Sequence, residues 1–99
     1  DFVRVAYQIC RWHHERYDGS GYPDQLVGEQ IPIAAQVVGL ADAYETLTLA
    51  AEASRRYLRG CMQMLCTGEA GAFNPVLLDC LREIENEIDD AMRRRPETL

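Results

Sequence analysis

The chain has 99 residues, a length that accommodates one small domain, because independently folding domains span about 50 to 200 residues. Hydrophobic residues make up 47% and charged residues 26%, which excludes a disordered chain of low hydrophobicity. The formal net charge of −6 argues against a nucleic-acid partner, since polyanion binding requires a basic face. If the substrate is an anion, a bound metal must supply the positive charge.

Sequence patterns also argue against a membrane-spanning protein and a secreted protein. No apolar run approaches the roughly 18 residues of a membrane span, and the first residues lack the basic segment of a secretion signal. We therefore expect a cytoplasmic protein with no membrane partner. Cysteine spacing predicts free, mostly buried thiols, with no zinc knuckle or disulfide scaffold. The four cysteines are Cys10, Cys61, Cys66 and Cys80.

The first third of the chain contains one helical pattern and one loop. Apolar residues recur every three or four positions over residues 2–14, which predicts an amphipathic helix. Asp1 is the one residue present that can cap its start. The composition then becomes rich in glycine between Tyr17 and Gln30 and includes Pro23, which predicts a loop.

The remainder of the chain predicts three more helices. Pro32 fits the first turn of a second helix, which we expect to run to about Thr48. We expect this helix to bury Ile33, Val37, Val38, Ala41, Tyr44 and Leu47. A third helix is expected over residues 50–66. Asn74 and Pro75 then provide an N-cap and a first-turn proline for a last helix that continues to near Arg93. Without any alternating strand pattern, the prediction is an all-α fold of about four helices.

Two adjacent histidines, His13 and His14, close the first helix. Imidazole is the commonest neutral metal ligand. Neighbours on a helix point about 100° apart, so both reach one metal only where the helix ends, and otherwise they serve two metals, or one metal and a substrate phosphate. The alternative is a solvated helix C-terminus, where protonated histidine interacts favourably with the helix dipole. The pair by itself favours that alternative.

Asp42 is a second candidate metal ligand, because it follows the small and apolar residues Gly39, Leu40 and Ala41. A carboxylate in such a setting is costly to bury unless it is paired or bound to a metal. The alternative is an exposed side chain on a polar stripe with Glu45. Periodicity does not decide between the two.

The segment from His13 to Pro23, HHERYDGSGYP, resembles the signature that gives the HD-GYP family its name. Eleven contiguous residues of this kind are highly specific. The resemblance continues through Gly28 to Pro32, through the helix from Ile33 to Leu47, and again from Gly71 to Pro75, so it covers most of the first 80 residues.

The resemblance implies a partial HD-domain-like helical bundle from a phosphodiesterase that cleaves cyclic di-GMP with two or three divalent metals, most often iron or manganese. His13 and His14 match two metal ligands of the family, and Asp42 matches its metal-binding aspartate. The loop residues implicated in contacts with substrate or with diguanylate cyclase domains match Asp18, Gly19, Gly21, Tyr22 and Pro23. Paired metals in such a site lower the pKa of a bridging water and bind the phosphoryl oxygens.

The sequence departs from the family pattern at two places. The His-Asp pair of the family precedes the segment seen here, and His13 and His14 are the only histidines. We therefore expect residues 1–95 to be the C-terminal part of one HD-GYP-like domain, followed by a tail at 96–99. The basic, proline-containing stretch of the family is also absent. Arg55 and Arg56 are candidates for phosphate contacts at a shifted position, although the pattern favours a solvated helical face.

Two functional hypotheses follow. One is part of a cyclic di-GMP phosphodiesterase, incomplete and inactive as an isolated chain and often located downstream of a receiver domain. The other is a degenerate, non-catalytic signalling module that uses the Gly-Tyr-Pro loop for protein contacts. A third possibility is a packing unit only, in which the absent core helices leave apolar faces that drive self-association, so we expect a homo-oligomer.

Overall fold

The computed structural model describes residues 1–53 and 58–94, and these residues form five α-helices. The helices are α1 (Phe2–Trp12), α2 (Ile33–Ala53), α3 (Leu58–Thr67), α4 (Pro75–Glu83) and α5 (Glu85–Arg93). Within these ranges there is no β-strand, and an isolated antiparallel bridge joins Asp18 to Val27. The prediction of an all-α fold is confirmed. No helix in this part of the chain is both long and apolar enough to cross a bilayer.

Helix α1 is capped by Asp1, the residue that could serve as its cap, and it ends earlier than expected. The Asp1 carboxylate accepts a hydrogen bond from the Arg4 backbone N–H at 2.9 Å, which satisfies one of the unpaired donors of the first turn. The helix ends at Trp12, and His13 is its C-cap. None of its residues is fully buried, and Phe2 is 86% exposed.

Helix α2 is longer than predicted and buries a different face. It continues past Thr48 to Ala53, because residues 49–53 are mostly strong helix formers. Ile33 and Val37 were expected to be buried, but they are 60% and 48% exposed, and Ala41 is exposed as well. The first half of α2 is apolar on nearly every side, so the helical period could not select one face. The residues that α2 does bury are Ala35, Gly39, Leu40, Tyr44 and Thr48.

The hydrophobic core lies between α2 and the helices that follow it. Its buried members are Leu40, Tyr44, Met62, Leu65 and Leu81, which come from α2, α3 and α4. Asn74 caps the start of α4, as predicted. The same side chain also attaches this helix to α2. The Asn74 carboxamide accepts from the Val76 N–H at 3.0 Å and donates to the Gln36 side chain at 3.0 Å.

The last predicted helix is two helices in the structure. The chain leaves helical geometry at Ile84 (φ −106°, ψ 11°), whose N–H is shared between the Cys80 and Leu81 carbonyls. Helix α5 then starts with Glu85 and Glu87 in its first turn, where acidic residues interact favourably with the helix dipole. The apolar spacing continues across Ile84, so periodicity predicted one helix where there are two.

The prediction of mostly buried cysteines is wrong for the described side chains. Cys10 and Cys80 are exposed, Cys66 is half-buried, and all three are free thiols. The Cys61 side chain, like Arg55, Arg56 and residues 95–99, lies outside the described part of the chain. The exposure of Cys10 follows from α1, which buries none of its residues fully.

The end of α1 lies directly on α2 at Gly39. A Cβ atom at position 39 would lie 2.5 Å from the His13 carbonyl oxygen, closer than real Cβ contacts occur. Glycine therefore permits the backbone approach that sets the position of the His13 and His14 pair relative to α2.

Gly39→Ala tests this packing. A glycine-to-alanine change inside a helix ordinarily stabilises by about 0.5–1 kcal/mol, but here the added methyl group should lower the free energy of unfolding by about 1–3 kcal/mol. The measurement is urea unfolding followed by circular dichroism. The exposed α2 residue Thr46, changed to alanine, is the control and should stay within about 0.5 kcal/mol of the wild type. Increased stability of Gly39→Ala would contradict the close approach.

Candidate functional site

The two histidines lie side by side at the C-terminal end of α1, with ring centroids 3.9 Å apart. The His13 Nδ1 atom is 2.7 Å from the Ile9 carbonyl oxygen. Because a carbonyl only accepts hydrogen bonds, Nδ1 carries the proton, and the lone pair of Nε2 is left available for a metal. Histidine ligands in proteins are commonly oriented by such a second hydrogen bond.

The His14 imidazole is oriented by ring contacts. Its ring stacks on the Tyr22 ring with centroids 5.0 Å apart and planes inclined by 18°. Among the hydrogen bonds found in the described residues, none involves the His14 side chain. The position of Tyr22, which belongs to the glycine-rich loop, therefore sets the orientation of His14.

A buried glutamate fixes that loop. Glu15 is only 5% exposed, and its two carboxylate oxygens accept hydrogen bonds from the backbone N–H groups of Asp24 at 2.6 Å and Leu26 at 2.8 Å. A buried charge is costly unless it is hydrogen-bonded, and bonds from N–H to carboxylate are among the stronger ones. The two donors flank Gln25, whose φ of 54° is uncommon for a residue with a side chain. Glu15 thus holds the loop in a conformation that its sequence alone does not favour.

Gly21 lets the loop lie directly against the end of α1. The residue is buried, and a Cβ there would lie 2.5 Å from the Glu15 Cα atom and 2.5 Å from the His14 carbonyl oxygen. It would also collide with the Arg16 backbone nitrogen. No side chain fits at position 21. Glycine there lets the loop approach closely enough for Tyr22 to lie over His14.

Asp24, next to the cis Tyr22–Pro23 peptide, forms a second attachment of the loop to α1. Its carboxylate accepts from the Trp12 indole N–H at 2.7 Å and from the Arg11 guanidinium at 3.0 and 3.1 Å. The Trp12 hydrogen bond and then the Arg11 hydrogen bond lower the pKa of Asp24, because both favour the charged carboxylate.

Asp18, predicted to contact substrate or a partner, is exposed and forms a turn within the loop. Its carboxylate accepts from the Ser20 hydroxyl at 2.6 Å and the Ser20 N–H at 3.0 Å. These hydrogen bonds, the hydroxyl's first, lower the pKa of Asp18. Gly19, at φ +85°, occupies the left-handed region that this turn requires. In this structure both residues shape the loop.

Arg16 connects the site to the turn that precedes α4. Its guanidinium lies over the Phe73 ring, 5.0 Å from the centroid, and the Tyr17 N–H donates to the Ala72 carbonyl at 3.0 Å. A Cβ at Gly71 would lie 2.7 Å from the Arg16 Nε atom. The segment at residues 71–73 therefore packs against the loop's first residues, although it is distant in sequence.

Asp42 is exposed on α2, one helical turn beyond Gly39 and near the exposed Glu45. The side chain is thus exposed, as the alternative has it, and the role of Asp42 as a metal ligand stays a prediction. Over residues 1–53 and 58–94, no three His, Cys, Asp or Glu side chains are grouped closely enough to hold a metal ion. The structure brings His13 and His14 together, and it does not group Asp42 with them as a three-ligand site.

The donors present fit part of a metal site. Nitrogen and carboxylate ligands suit iron, manganese and zinc, and His13 has the hydrogen bond that orients a ligating imidazole. The two adjacent imidazoles are fewer donors than a multinuclear site needs, and no third donor is grouped with them in the described residues. These residues therefore fit as a partial ligand set.

An open pocket of about 420 Å³ lies beside His14. It is lined by Tyr7, Cys10, Arg11, His14, Tyr22 and Pro23. The loop and α1 each provide one side, so a change in loop position would change the pocket.

Comparison with known proteins places this architecture in a family. The HD domain family matches residues 2–73, which include α1, the loop, α2 and the turn before α4. The chain therefore belongs to the HD domain family, and it carries the HD-GYP signature at residues 13–23.

Several curated relatives are named as phosphodiesterases. A probable cyclic di-GMP phosphodiesterase of Vibrio cholerae is 36% identical over 98 residues, which cover 92% of this chain and 21% of that protein. The cyclic di-GMP phosphodiesterase response regulator RpfG of Xanthomonas campestris pv. campestris is 56% identical over 46 residues, 46% of this chain and 12% of RpfG. A cyclic di-GMP phosphodiesterase of Thermotoga maritima is 29% identical over 97 residues, covering 93% of this chain and 25% of that protein. The chain thus spans at most a quarter of the length of these relatives.

Sequence reasoning missed three residues that organise the site, Trp12, Glu15 and Asp24. One signal was available. A loop with several glycines forms few hydrogen bonds of its own, so its backbone N–H groups need acceptors from elsewhere. Carboxylates flank and occupy this loop, but the sequence does not show which of them is buried beneath it.

Trp12 is the single tryptophan of the chain, so its fluorescence reports on the Asp24 attachment. The folded-state pKa of Asp24 is below its ordinary value of about 3.9, so its contribution to loop docking is complete above that value. The contribution decreases as the pH falls further and is lost below the lowered pKa. We expect a Trp12 emission change in this acid range that is absent from Asp24→Asn.

Asp18→Asn is the matched control, since Asp18 also has a lowered pKa but bonds to Ser20. It should retain the acid transition of the wild type. Identical acid titrations of Trp12 emission in Asp24→Asn and wild type would show that Asp24 does not attach the loop.

Proposed function

We propose that this chain contributes part of the active site of a metal-dependent phosphodiesterase that hydrolyses cyclic di-GMP. The observation that carries the proposal is the pair of adjacent imidazoles beneath the Gly-Tyr-Pro loop, with the His13 Nδ1 atom bonded to a carbonyl so that Nε2 is available. The names of the curated relatives support the choice of substrate.

In this proposal His13, His14 and Asp42 are metal ligands, and iron or manganese is the expected metal. A metal held by these residues would supply an activated water and would stabilise charge on the phosphoryl oxygens. The chain orients the His13 imidazole through Ile9 and the His14 imidazole through Tyr22.

The open pocket beside His14 is the proposed approach for the substrate, with Tyr22 and Pro23 on its loop side. Arg55 and Arg56 remain the candidates for phosphate contacts. A cytoplasmic location accords with a soluble nucleotide substrate.

A second candidate function is a non-catalytic module that binds a protein through the loop. Tyr22 is 61% exposed and Pro23 is exposed next to it, which suits a contact surface. The partner would be a diguanylate cyclase domain, and in either function a receiver domain upstream would supply the signal.

Metal content separates the two candidates. Protein purified without oxygen should contain iron or manganese, and His13→Ala, His14→Ala and Asp42→Asn should each lose most of it, because each removes a donor atom. Elemental analysis is the measurement. Asp79→Asn is the matched control for Asp42→Asn, since both residues are exposed aspartates on helices, and it should retain the metal.

Hydrolysis of cyclic di-GMP by the same samples completes the comparison. Loss of metal in the three variants, with metal retained in Asp79→Asn, supports the phosphodiesterase, and turnover is expected only where the rest of the HD-GYP domain completes the site. A wild type that contains no metal and has no turnover, but binds a diguanylate cyclase domain through Tyr22, would establish the second candidate instead.

Self-association is also proposed, because α1 and the first half of α2 expose large apolar side chains. These include Phe2, Val3, Tyr7, Ile33 and Val37. Apolar patches beyond a few hundred Å² usually mark interfaces. Light scattering at micromolar concentration should show a dimer or larger species, and Phe2→Ser combined with Val37→Ser should shift it toward monomer. A monomeric wild type at all these concentrations would rule out the proposal.

A further inference from the structure

Glu15 lies between the candidate ligand His14 and the loop, and the proposed chemistry gives it no role. Both of its carboxylate oxygens are occupied by the backbone N–H groups of Asp24 and Leu26. The side chain is buried within the protein, so it is not exposed to a substrate or a partner.

The contacts of Glu15 lead to His14 in two steps. First, the bonds to residues 24 and 26 hold the second half of the loop, and the buried Gly21 holds its first half against the α1 terminus. Tyr22 lies between these two attachments, so its position is determined from both sides. Second, the Tyr22 ring stacks on the His14 ring at 5.0 Å. His13 is oriented differently, by the Ile9 carbonyl within α1.

From this geometry we propose that Glu15 is a positioning residue, which fixes the orientation of the His14 imidazole through the loop and the Tyr22 ring. The consequence for metal binding rests on the proposed function, whereas the orientation of His14 can be observed without metal. Glu15 is not a catalytic residue in this assignment, because its oxygens touch only backbone donors.

The geometry predicts an order among Glu15 variants. Glutamine has nearly the shape of glutamate but provides one carbonyl oxygen, so it can accept from only one of the two N–H groups. Its amide NH₂ would face the other N–H, and that attachment would be lost. Alanine provides no acceptor. The displacement of the His14 ring should therefore be larger in Glu15→Ala than in Glu15→Gln. Glu29 is an exposed carboxylate in the same loop, so the control variant Glu29→Gln should have no effect.

The test is nuclear magnetic resonance of the imidazole Cε1–H and Cδ2–H groups in histidine-labelled, metal-free full chain. All spectra are recorded at the same pH, so that the variants differ only in the substituted residue. Tyr22→Ala removes the stacked ring, and the change in chemical shift of the His14 signals in this variant is the reference for the others. We expect Glu15→Ala to shift these signals in the same direction and Glu15→Gln to shift them partway. The His13 signals should shift less, because the His13 ring contacts the His14 ring but is held by the Ile9 carbonyl.

A double-mutant cycle separates positioning from general loss of structure. If Glu15 acts through Tyr22, the double variant Glu15→Ala/Tyr22→Ala should give the His14 signals of Tyr22→Ala alone. Additive displacements would overturn the proposal, and so would equal movement of His13 and His14. Circular dichroism verifies the helices, and if Glu15→Ala fails to fold, the Glu15→Gln comparison decides. Wild-type His14 signals in Glu15→Gln, together with displaced amide signals of Asp24 or Leu26, would then overturn it.

Titration of Mn²⁺ into the same samples links this role to the proposed function. Loss of a residue that orients a ligand typically weakens metal binding by about 10- to 100-fold, and we expect that range for Glu15→Ala. If the wild type does not bind Mn²⁺ but the His14 displacements follow the predicted order, the proposed function fails and the positioning role of Glu15 stands. If Mn²⁺ binds equally to all variants, the positioning role fails and the metal site stands.

Discussion

The loop over the histidine pair depends on the hydrogen bonds between a buried carboxylate and two backbone N–H groups. Residues 17–30 form no helix longer than a 3-10 turn and only one isolated bridge, so most of their backbone donors have no regular partner. Glu15 supplies two charged acceptors at 2.6 and 2.8 Å and thereby stabilises the positive φ of Gln25 between them. Because Glu15 directly follows His14, the interaction that orders the loop also fixes its distance from the candidate ligands.

Two glycines make this arrangement possible by permitting close backbone contact on both sides of the α1 terminus. Gly39 of α2 lies against the His13 carbonyl, and Gly21 of the loop lies against the backbone of residues 14–16. The histidine pair is therefore held between a core helix and the loop, with no intervening side chain at either contact. Tyr44, five residues after Gly39 on α2, is part of the hydrophobic core, so the site and the core share one helix.

Local signals in the sequence predicted much of this fold. Asn74 and Pro75 marked the start of α4, and the glycine-rich composition marked the loop, because cap and turn chemistry depends on neighbouring residues only. The face of α2 and the break at Ile84 were not predicted, since both depend on which surfaces the other helices cover. The histidine pair was found from its motif. Glu15 was not, because its burial results from a loop that folds back over nine to eleven residues.

The carboxylates near the histidines divide into two groups. Glu15 is engaged by backbone N–H groups, Asp24 by an indole and a guanidinium, and Asp18 by a serine. For Asp18 and Asp24 these donors lower the carboxyl pKa, and a metal would have to displace them to bind there. Asp42 is instead exposed on α2, on the helix that Gly39 joins to the histidines. Asp18 and Asp24 thus serve the structure of the loop, which is why Asp42, and neither of these two, is the carboxylate ligand in the proposed function.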